Sequence, residues 1–335
     1  MHPALQGLMT IAIGVGGCVG YFYFSNLLVD KVIFPARGEH IARNIRRANM
    51  VRPWLFLAPA LLALGLYLAY PVFETLRLSV TQRVPGGGYE FVGLDNYVQM
   101  TAEGKFWEAL QNNFLWLLFV PAASTAFGLL AAQLTDRISW GNIAKSLIFM
   151  PMAISFVGAA VIWKLVYDTR PPGTEQIGVL NALYLFFGGD DPQTWLTIPF
   201  WNNFFLMVVL VWIQTGFAMV ILSAALRGIP EETIEAAIVD GAGPFQIFFK
   251  IKVPQIMGTI VVVWTTITIV VLKVFDIVFA MTNGQWETQV LANYMFDKLF
   301  RANDWGVGSA SAMVIMLLVT PILVWNVYNA RREMR

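Results

Sequence analysis

Two ionisable residues, Lys273 and Asp276, interrupt an apolar run over residues 255–280. Charge in such a run costs about 2.5–3.5 kcal/mol per group on insertion scales, so it is kept for function or neutralised by a partner. Three residues apart on a helix, the two can face the same side. They can line a solute path, or neutralise each other near the helix end with Lys273 snorkelling to the interface; the pair is the expectation. A second polar group, Glu231, Glu232, Glu235 and Asp240, lies between the apolar runs 203–225 and 255–280. Its chemistry is docking rather than bond-making. Pro230 supplies a helix start, and the glutamates sit in the first turns, where the helix dipole favours negative charge. Gly241 lets the chain leave the helix sharply because it has no Cβ. Phe245, Ile247, Phe248 and Phe249 follow, more bulk than a loop between apolar runs carries unless it docks on something.

The rest of the reactive inventory is short. Cys18 is the single cysteine and forms no intrachain disulfide; His2 and His40, without a Cys cluster, make no metal centre. No G-x-x-x-x-G-K-[ST] occurs, so any ATP that drives this chain is held by another polypeptide. There is no intramembrane histidine, H-E-x-x-H or G-x-S-x-G, so a membrane-embedded enzyme lacks a catalytic group and no enzymatic activity is expected. The chain has 335 residues, 57% hydrophobic and 13% charged, with a mean hydropathy of +0.63. Soluble domains carry about 25% charged residues; this is the composition of an integral membrane protein in contact with lipid. A net charge of +1 argues against nucleic acid as a partner.

The elements that position these residues are helices. A bilayer core needs about 20 apolar residues per helix, and seven spans fit, at about 8–29, 54–78, 111–134, 146–167, 203–225, 255–280 and 307–329. The run Leu183–Phe187 is too short to cross and is expected as a surface or partly buried helix within the loop 168–202. Orientation follows from basic residues in the loops. Lys31, Arg37, Arg43, Arg46, Arg47, Arg52, Arg137, Lys145, Arg227, Lys250, Lys252, Arg331, Arg332 and Arg335 fall on one side, fourteen in all, against five on the other (Arg83, Lys105, Arg170, Lys298, Arg301). The N-terminus is therefore expected outside, and the C-terminus and the loop 226–254 in the cytoplasm. The first span lacks a basic n-region and a clear cleavage site, so it reads as a retained helix; Gly14, Gly16, Gly17 and Gly20 suit it to close packing.

Glu235-Ala236-Ala237, three residues, Gly241, nine residues and then Ile251-Lys252-Val253-Pro254 resemble the EAA loop of ABC-importer permeases, with Val253 where Leu is usual. Arg52–Ala60, Leu226-Arg227-Gly228-Ile229-Pro230, Lys273–Val278 and Thr282-Asn283-Gly284 resemble the matching stretches of sugar permeases of the MalF type, so the likeness covers roughly 280 of 335 residues. The extra N-terminal span and the Lys-Val-Phe-Asp run look most like α-glucoside permeases. The resemblance implies an all-α type I importer core over 51–335, with a coupling loop at 226–254 and an added helix and basic linker at 1–50. It implies a bacterial inner membrane, a second permease subunit, two cytoplasmic ABC ATPases that hold ATP and Mg, a periplasmic sugar-binding protein, and no cofactor in this chain.

Carried onto this sequence, the resemblance makes Glu235 the partner of an ATPase arginine, and Ala236 and Ala237 the small contacts. Gly241 is the bend beside Asp240, Phe245, Phe248 and Phe249 are anchors worth about 2 kcal/mol or more each, and Pro254 closes the motif. Sugar-path candidates combine aromatic faces with amides and hydroxyls: Trp212, Gln214, Phe217, Trp264 and Thr265, with Lys273 and Asp276; Asn112 and Asn113 open the third span. An anionic cargo calls for several cations facing the path. The spans offer Lys273, with Arg77 and Lys164 near their ends, which favours a neutral sugar over glycerol phosphate. A polyol permease stays open as an alternative, and a secondary transporter is the more distant one, since no internal repeat is evident.

Overall fold

The computed structural model describes residues 3–35, 41–136 and 138–333; His2, His40, Arg37, Arg137 and Arg335 lie outside them. Two compact units divide the chain, residues 1–74 and 75–335. In the first, α1 (Leu5–Ile33) meets the opening part of α2 (Ile41–Ser79). Asp30 pairs with Arg52 at 2.5 Å, the Tyr21 hydroxyl donates to the Leu55 carbonyl at 2.7 Å, and Phe22 meets Phe56 edge to face. The apolar window of α1 is 0% buried within the protein. A helix solvated by lipid tails can be apolar all round, because its backbone groups are bonded internally. A Cβ placed on Gly14, Gly16, Gly17 or Gly20 meets nothing within 4 Å, so the close packing expected of them is not made among the described residues.

The second unit continues from the end of α2 into a hairpin, β1 (Thr81–Arg83) with β2 (Tyr89–Phe91), Thr81 opposite Phe91. Next come α3 (Asp95–Ala102) and α4 (Gly104–Thr135), which starts seven residues before the expected 111. The core is α4 against α8 (Trp201–Arg227). Small residues set the separations: a Cβ on Gly128 of α4 would collide with the side chain of Ala218 of α8, and one on Gly216 of α8 would stand 2.6 Å from the carbonyl of Ile148 in the helix 141–153. Close approach of this kind gains dispersion energy where lipid removes the hydrophobic drive between helices. Trp116, Leu206, Leu210, Met219, Leu222 and Ile267 are fully buried there. A smaller cluster, with Met100, Phe106, Leu291, Tyr294 and Val307, ties α3 and α4 to α13 (Leu291–Phe296) and α14 (Trp305–Glu333).

Five helices are long and apolar enough to span a membrane, and two bent pairs bring the number to seven among the described residues. The expected span 146–167 is present as a bent pair: α5 (Gly141–Ala153) and α6 (Phe156–Val166) meet at 105°. Residues Met150–Ala153 tighten into a 3₁₀ turn holding Pro151, and Ser155 caps α6 by accepting from the Gly158 amide at 3.1 Å. The proline removes a donor that a continuous helix would need, while the serine satisfies an orphan amide of the new one. The expected span 255–280 is also divided. Its helix α11 (Met257–Leu272) ends, residues 273–275 are non-helical, and α12 (Asp276–Met281) begins afresh. The short helix foreseen in the loop 168–202 is α7 (Val179–Phe186), secured by Asn181, which donates to the Asp168 and Gln193 carbonyls at 2.9 and 3.0 Å.

After α12 the chain runs irregularly through residues 282–290, and Asn283, Gly284, Trp286 and Glu287 take positive φ. Four side-chain amides hold this stretch. Asn112 donates to the Glu287 and Gln289 carbonyls at 2.9 and 2.8 Å, and Asn113 accepts from the Leu291 amide at 2.8 Å. From α8, Asn202 donates to the Trp286 carbonyl and Asn203 to that of Glu287 at 3.1 Å. Asn112 and Asn113 are thus engaged with backbone.

Candidate functional site

Between α8 and α11 the chain makes a helix, a tight turn and a second helix. In α9 (Glu231–Val239), Pro230 occupies the N-cap with φ −57° and ψ 134°, where a missing amide costs nothing, and Glu231 and Glu232 fill the first turn. The C-terminal end closes as a Schellman motif: the Ala242 amide donates to the Ala237 carbonyl at 2.9 Å and the Gly241 amide to the Ile238 carbonyl at 3.0 Å. Gly241 has φ +80°, yet a Cβ there would meet nothing within 4 Å. The glycine serves the backbone conformation and not a lack of room. Then α10 (Pro244–Gln255) runs to a 71° bend at Ile256. Pro254 sits inside α10, after the wide turns of Ile247–Lys252, rather than at the end of a loop.

The two faces of this segment differ. Ala237 (7% exposed), half-buried Ile234 and buried Ile247 turn toward the body of the protein. Glu235, Ala236, Asp240 and Gly241 are exposed, as are Ile238, Val239 (87%), Phe245 (80%) and Phe249 (62%). Phe248 is half-buried, its ring 4.9 Å from that of Phe249. The expectation for Ala237 is corrected: it contacts its own chain, as its i, i+3 spacing from Ile234 could have indicated. Ile238 and Val239, unforeseen, enlarge the free apolar surface.

In the membrane region, the two helix breaks face each other across a pair of adjoining cavities. One, of about 410 Å³, is lined by Met152, Ser155, Phe156, Ile213, Gln214 and Asp276 among others. The second, of about 310 Å³, shares Phe156 and Asp276 and adds Leu210, Lys273 and Phe275. The expected Lys273–Asp276 pair does not form among the described residues. Its premise was one continuous helix, whereas Lys273 lies in the non-helical break and Asp276 opens α12. Both charges are left facing the cavities. Lys164 is engaged, donating to the Ala280 carbonyl at 3.2 Å.

Of the other candidates, Gln214 alone joins this group. Trp212 lies on the other face of α8, in a separate cavity with Phe119, Trp163 and Thr215. Phe217 packs into the core, Trp264 is exposed, and Thr265 is buried with its hydroxyl donating to the Val261 and Val262 carbonyls of its own helix at 2.8 and 3.1 Å.

One polar cluster escaped the sequence reading. Asp136, the C-cap of α4, pairs with Lys145 of α5 and receives Arg227 Nη2 and Nε from the end of α8 at 2.9 and 3.1 Å. Ser223 Oγ lies 3.2 Å from both carboxylate oxygens and accepts from Lys145 Nζ at 2.6 Å. Burial alone would raise the Asp136 carboxyl; the hydrogen bonds and charges of Lys145 and Arg227 outweigh it and hold the group below the usual carboxylate range. Nothing in local sequence pairs positions 136, 145 and 227.

A helical membrane core with a helix–turn–helix excursion and a cavity between broken spans defines a transport-type architecture, and comparison with known proteins agrees. The chain belongs to the family of binding-protein-dependent transport system inner membrane components, whose pattern matches residues 124–335. It is 65% identical over 337 residues to the alpha-glucoside transport system permease protein AglF of Rhizobium meliloti, covering 99% of each chain. It is 47% identical over 283 residues to the osmoprotective compounds uptake permease protein GgtC of Synechocystis, covering 84% of this chain and all of the relative. Among solved structures, a chain of a bacterial ABC transporter involved in the import of the acidic polysaccharide alginate superposes with a TM-score of 0.73 at 20% identity, over 89% of this chain and 100% of that one. That likeness concerns the fold.

Proposed function

We propose that this chain is the permease subunit of an ATP-driven, binding-protein-dependent importer of neutral sugars, α-glucosides foremost. The observation that carries the reading is the 65% identity, end to end, to a permease named for α-glucoside transport. In this reading residues 51–335 are the transport core and residues 1–50 an added helix and basic linker. The N-terminus is outside, and the segment 226–254 lies in the cytoplasm with the C-terminus. A second permease completes the path, a periplasmic binding protein delivers the sugar, and two cytoplasmic ATPases hold ATP and Mg; this chain catalyses no reaction itself.

The exposed row Ile238, Val239, Phe245 and Phe249, with Glu235, Asp240 and Gly241 beside it, suits docking into an ATPase cleft, because desolvated aromatic anchors dominate interface energies. Inside the membrane, Gln214, Lys273 and Asp276 supply donors and acceptors for sugar hydroxyls, while Phe156 offers an aromatic face.

The test is reconstitution of the tagged chain with its co-purifying subunits and the binding protein in proteoliposomes, followed by uptake of labelled maltose, sucrose and trehalose. ATP-dependent uptake of at least one supports the reading; uptake driven by a proton gradient without an ATPase overturns it. A second reading, an osmoprotective solute as cargo, has the 47% relative in its favour. Competition of uptake by such solutes distinguishes the two.

A further inference from the structure

We propose that Asp136, with Lys145 and Arg227, is a positioning residue. The clasp joins the ends of α4, α5 and α8 into one block that passes movement of α9 to the membrane cavities. The inference rests on the ATP-driven reading above and goes beyond it by naming the mechanical link.

Arg227 is the last residue of α8, and three residues, Gly228-Ile229-Pro230, separate it from α9. Lys145 lies on α5, whose far end is the turn with Met152 that lines the larger cavity. Asp136 thus receives Arg227 and Ser223 from the helix that carries α9 and Lys145 from the helix that walls the cavity. Backbone contacts make the same connection rigid. A Cβ on Gly141 would collide with the Thr135 carbonyl, closing the α4–α5 turn, and Gly216 admits the Ile148 carbonyl against α8.

The side chains of Lys145 and Asp136 are 14% and 21% exposed, so their pairing is only partly screened by solvent, whereas Arg227 is 60% exposed. A single carboxylate serves all these donors. Removing its charge leaves two cations facing each other across the junction of α5 and α8, and the block opens at that point rather than throughout. The core packing of α4 against α8 is untouched by such a change.

The experiment measures ATP hydrolysis and labelled-maltose uptake side by side in proteoliposomes holding the complete assembly. Asp136→Asn is expected to retain the ATPase subunits and hydrolyse ATP, with uptake per ATP reduced at least tenfold. Asp136→Glu restores most of that ratio. Asp136→Asn with Arg227→Met is expected to be no worse than Asp136→Asn alone, because one unit is broken once. An unchanged ratio in Asp136→Asn, a proportional fall of hydrolysis and uptake together, or additive losses in the double variant would each overturn the clasp. If Asp136→Asn does not assemble, Arg227→Met on the exposed side carries the test: a severalfold drop in the ratio supports the link, and a wild-type ratio removes it. An assembly that shows no ATPase before any substitution refutes the function itself, and the clasp with it.

Discussion

Gly241 allows a sharp test of how the α9 turn is used, because its surroundings separate conformation from crowding. Its φ of +80° lies where a side chain is strained, yet a Cβ there would meet nothing within 4 Å. Gly241→Ala therefore carries the left-handed backbone penalty alone, about 1–2 kcal/mol, which is a factor of roughly 5–30 in the population of the closed turn. Asn tolerates this region several-fold better than most residues, so Gly241→Asn is expected to lose about half as much free energy. Gly241→Val, β-branched, is expected to lose more than Ala. Gly241→Asp has nearly the shape of Asn, so any further loss beyond Gly241→Asn measures a charge placed at the docking face. The assay is the amount of ATPase retained by tagged chain from membranes, titrated with detergent-solubilised ATPase, with uptake measured in parallel at matched expression. The expected order of affinity is Gly, Asn, Ala, Val, with Ala at most about 30-fold below wild type. A Val variant that binds and transports as wild type would refute the reasoning. So would Ala outperforming Asn, which would show that the turn opens on docking.

Lys273→Met and Asp276→Asn are expected to impair uptake independently, their effects on KM multiplying in the double variant; recovery in the double variant would restore a paired role. Phe245→Asp should weaken ATPase retention by about 2 kcal/mol, near 30-fold, at normal chain abundance, whereas Ala237→Asp, which buries a charge, should lower abundance itself; pull-down and immunoblot separate the two. Gly128→Val should lower the thermal midpoint in detergent, since overpacking costs about 1–3 kcal/mol, while Gly14→Val, with open space around it, should leave it unchanged. The Asp136 carboxyl is held below its usual range, so its contribution is complete above the unfolded value and is lost only as pH falls through the lower folded value. Uptake per ATP should therefore stay level from pH 8 to about pH 5, and a fall within that window would place another group in control.

The helix and turn of residues 230–241 were legible because their signals are local. Pro230, the early glutamates and Gly241 mark helix ends by their own backbone chemistry, and the structure puts the ends there. The number of spans was legible from apolar length. The bends were not. Residues 273–275 contain no Gly or Pro, and α11 ends there without a local breaker. Pro151 stands at the other bend, but prolines elsewhere, such as Pro121, remain inside helices, so the residue alone does not decide. The polar contacts that organise the site join positions far apart in sequence. Asn112 with Gln289 and Asp136 with Arg227 are examples, and no pattern within a single chain pairs them.

The four asparagines that hold residues 282–290 grip main-chain atoms only: the carbonyls of Trp286, Glu287 and Gln289 and the amide of Leu291. Such a grip is blind to what the loop displays. The half-exposed Trp286 can be exchanged without loosening that grip, whereas Thr282, Thr288 and Gln289 are buried and bonded through their own side chains, so the freedom is confined to the exposed tip. Insertion or deletion of one residue, by contrast, shifts every gripped atom out of reach at once. Engineered libraries at this loop should accordingly accept changes at Trp286, reject them at Thr288 and Gln289, and hold constant in length.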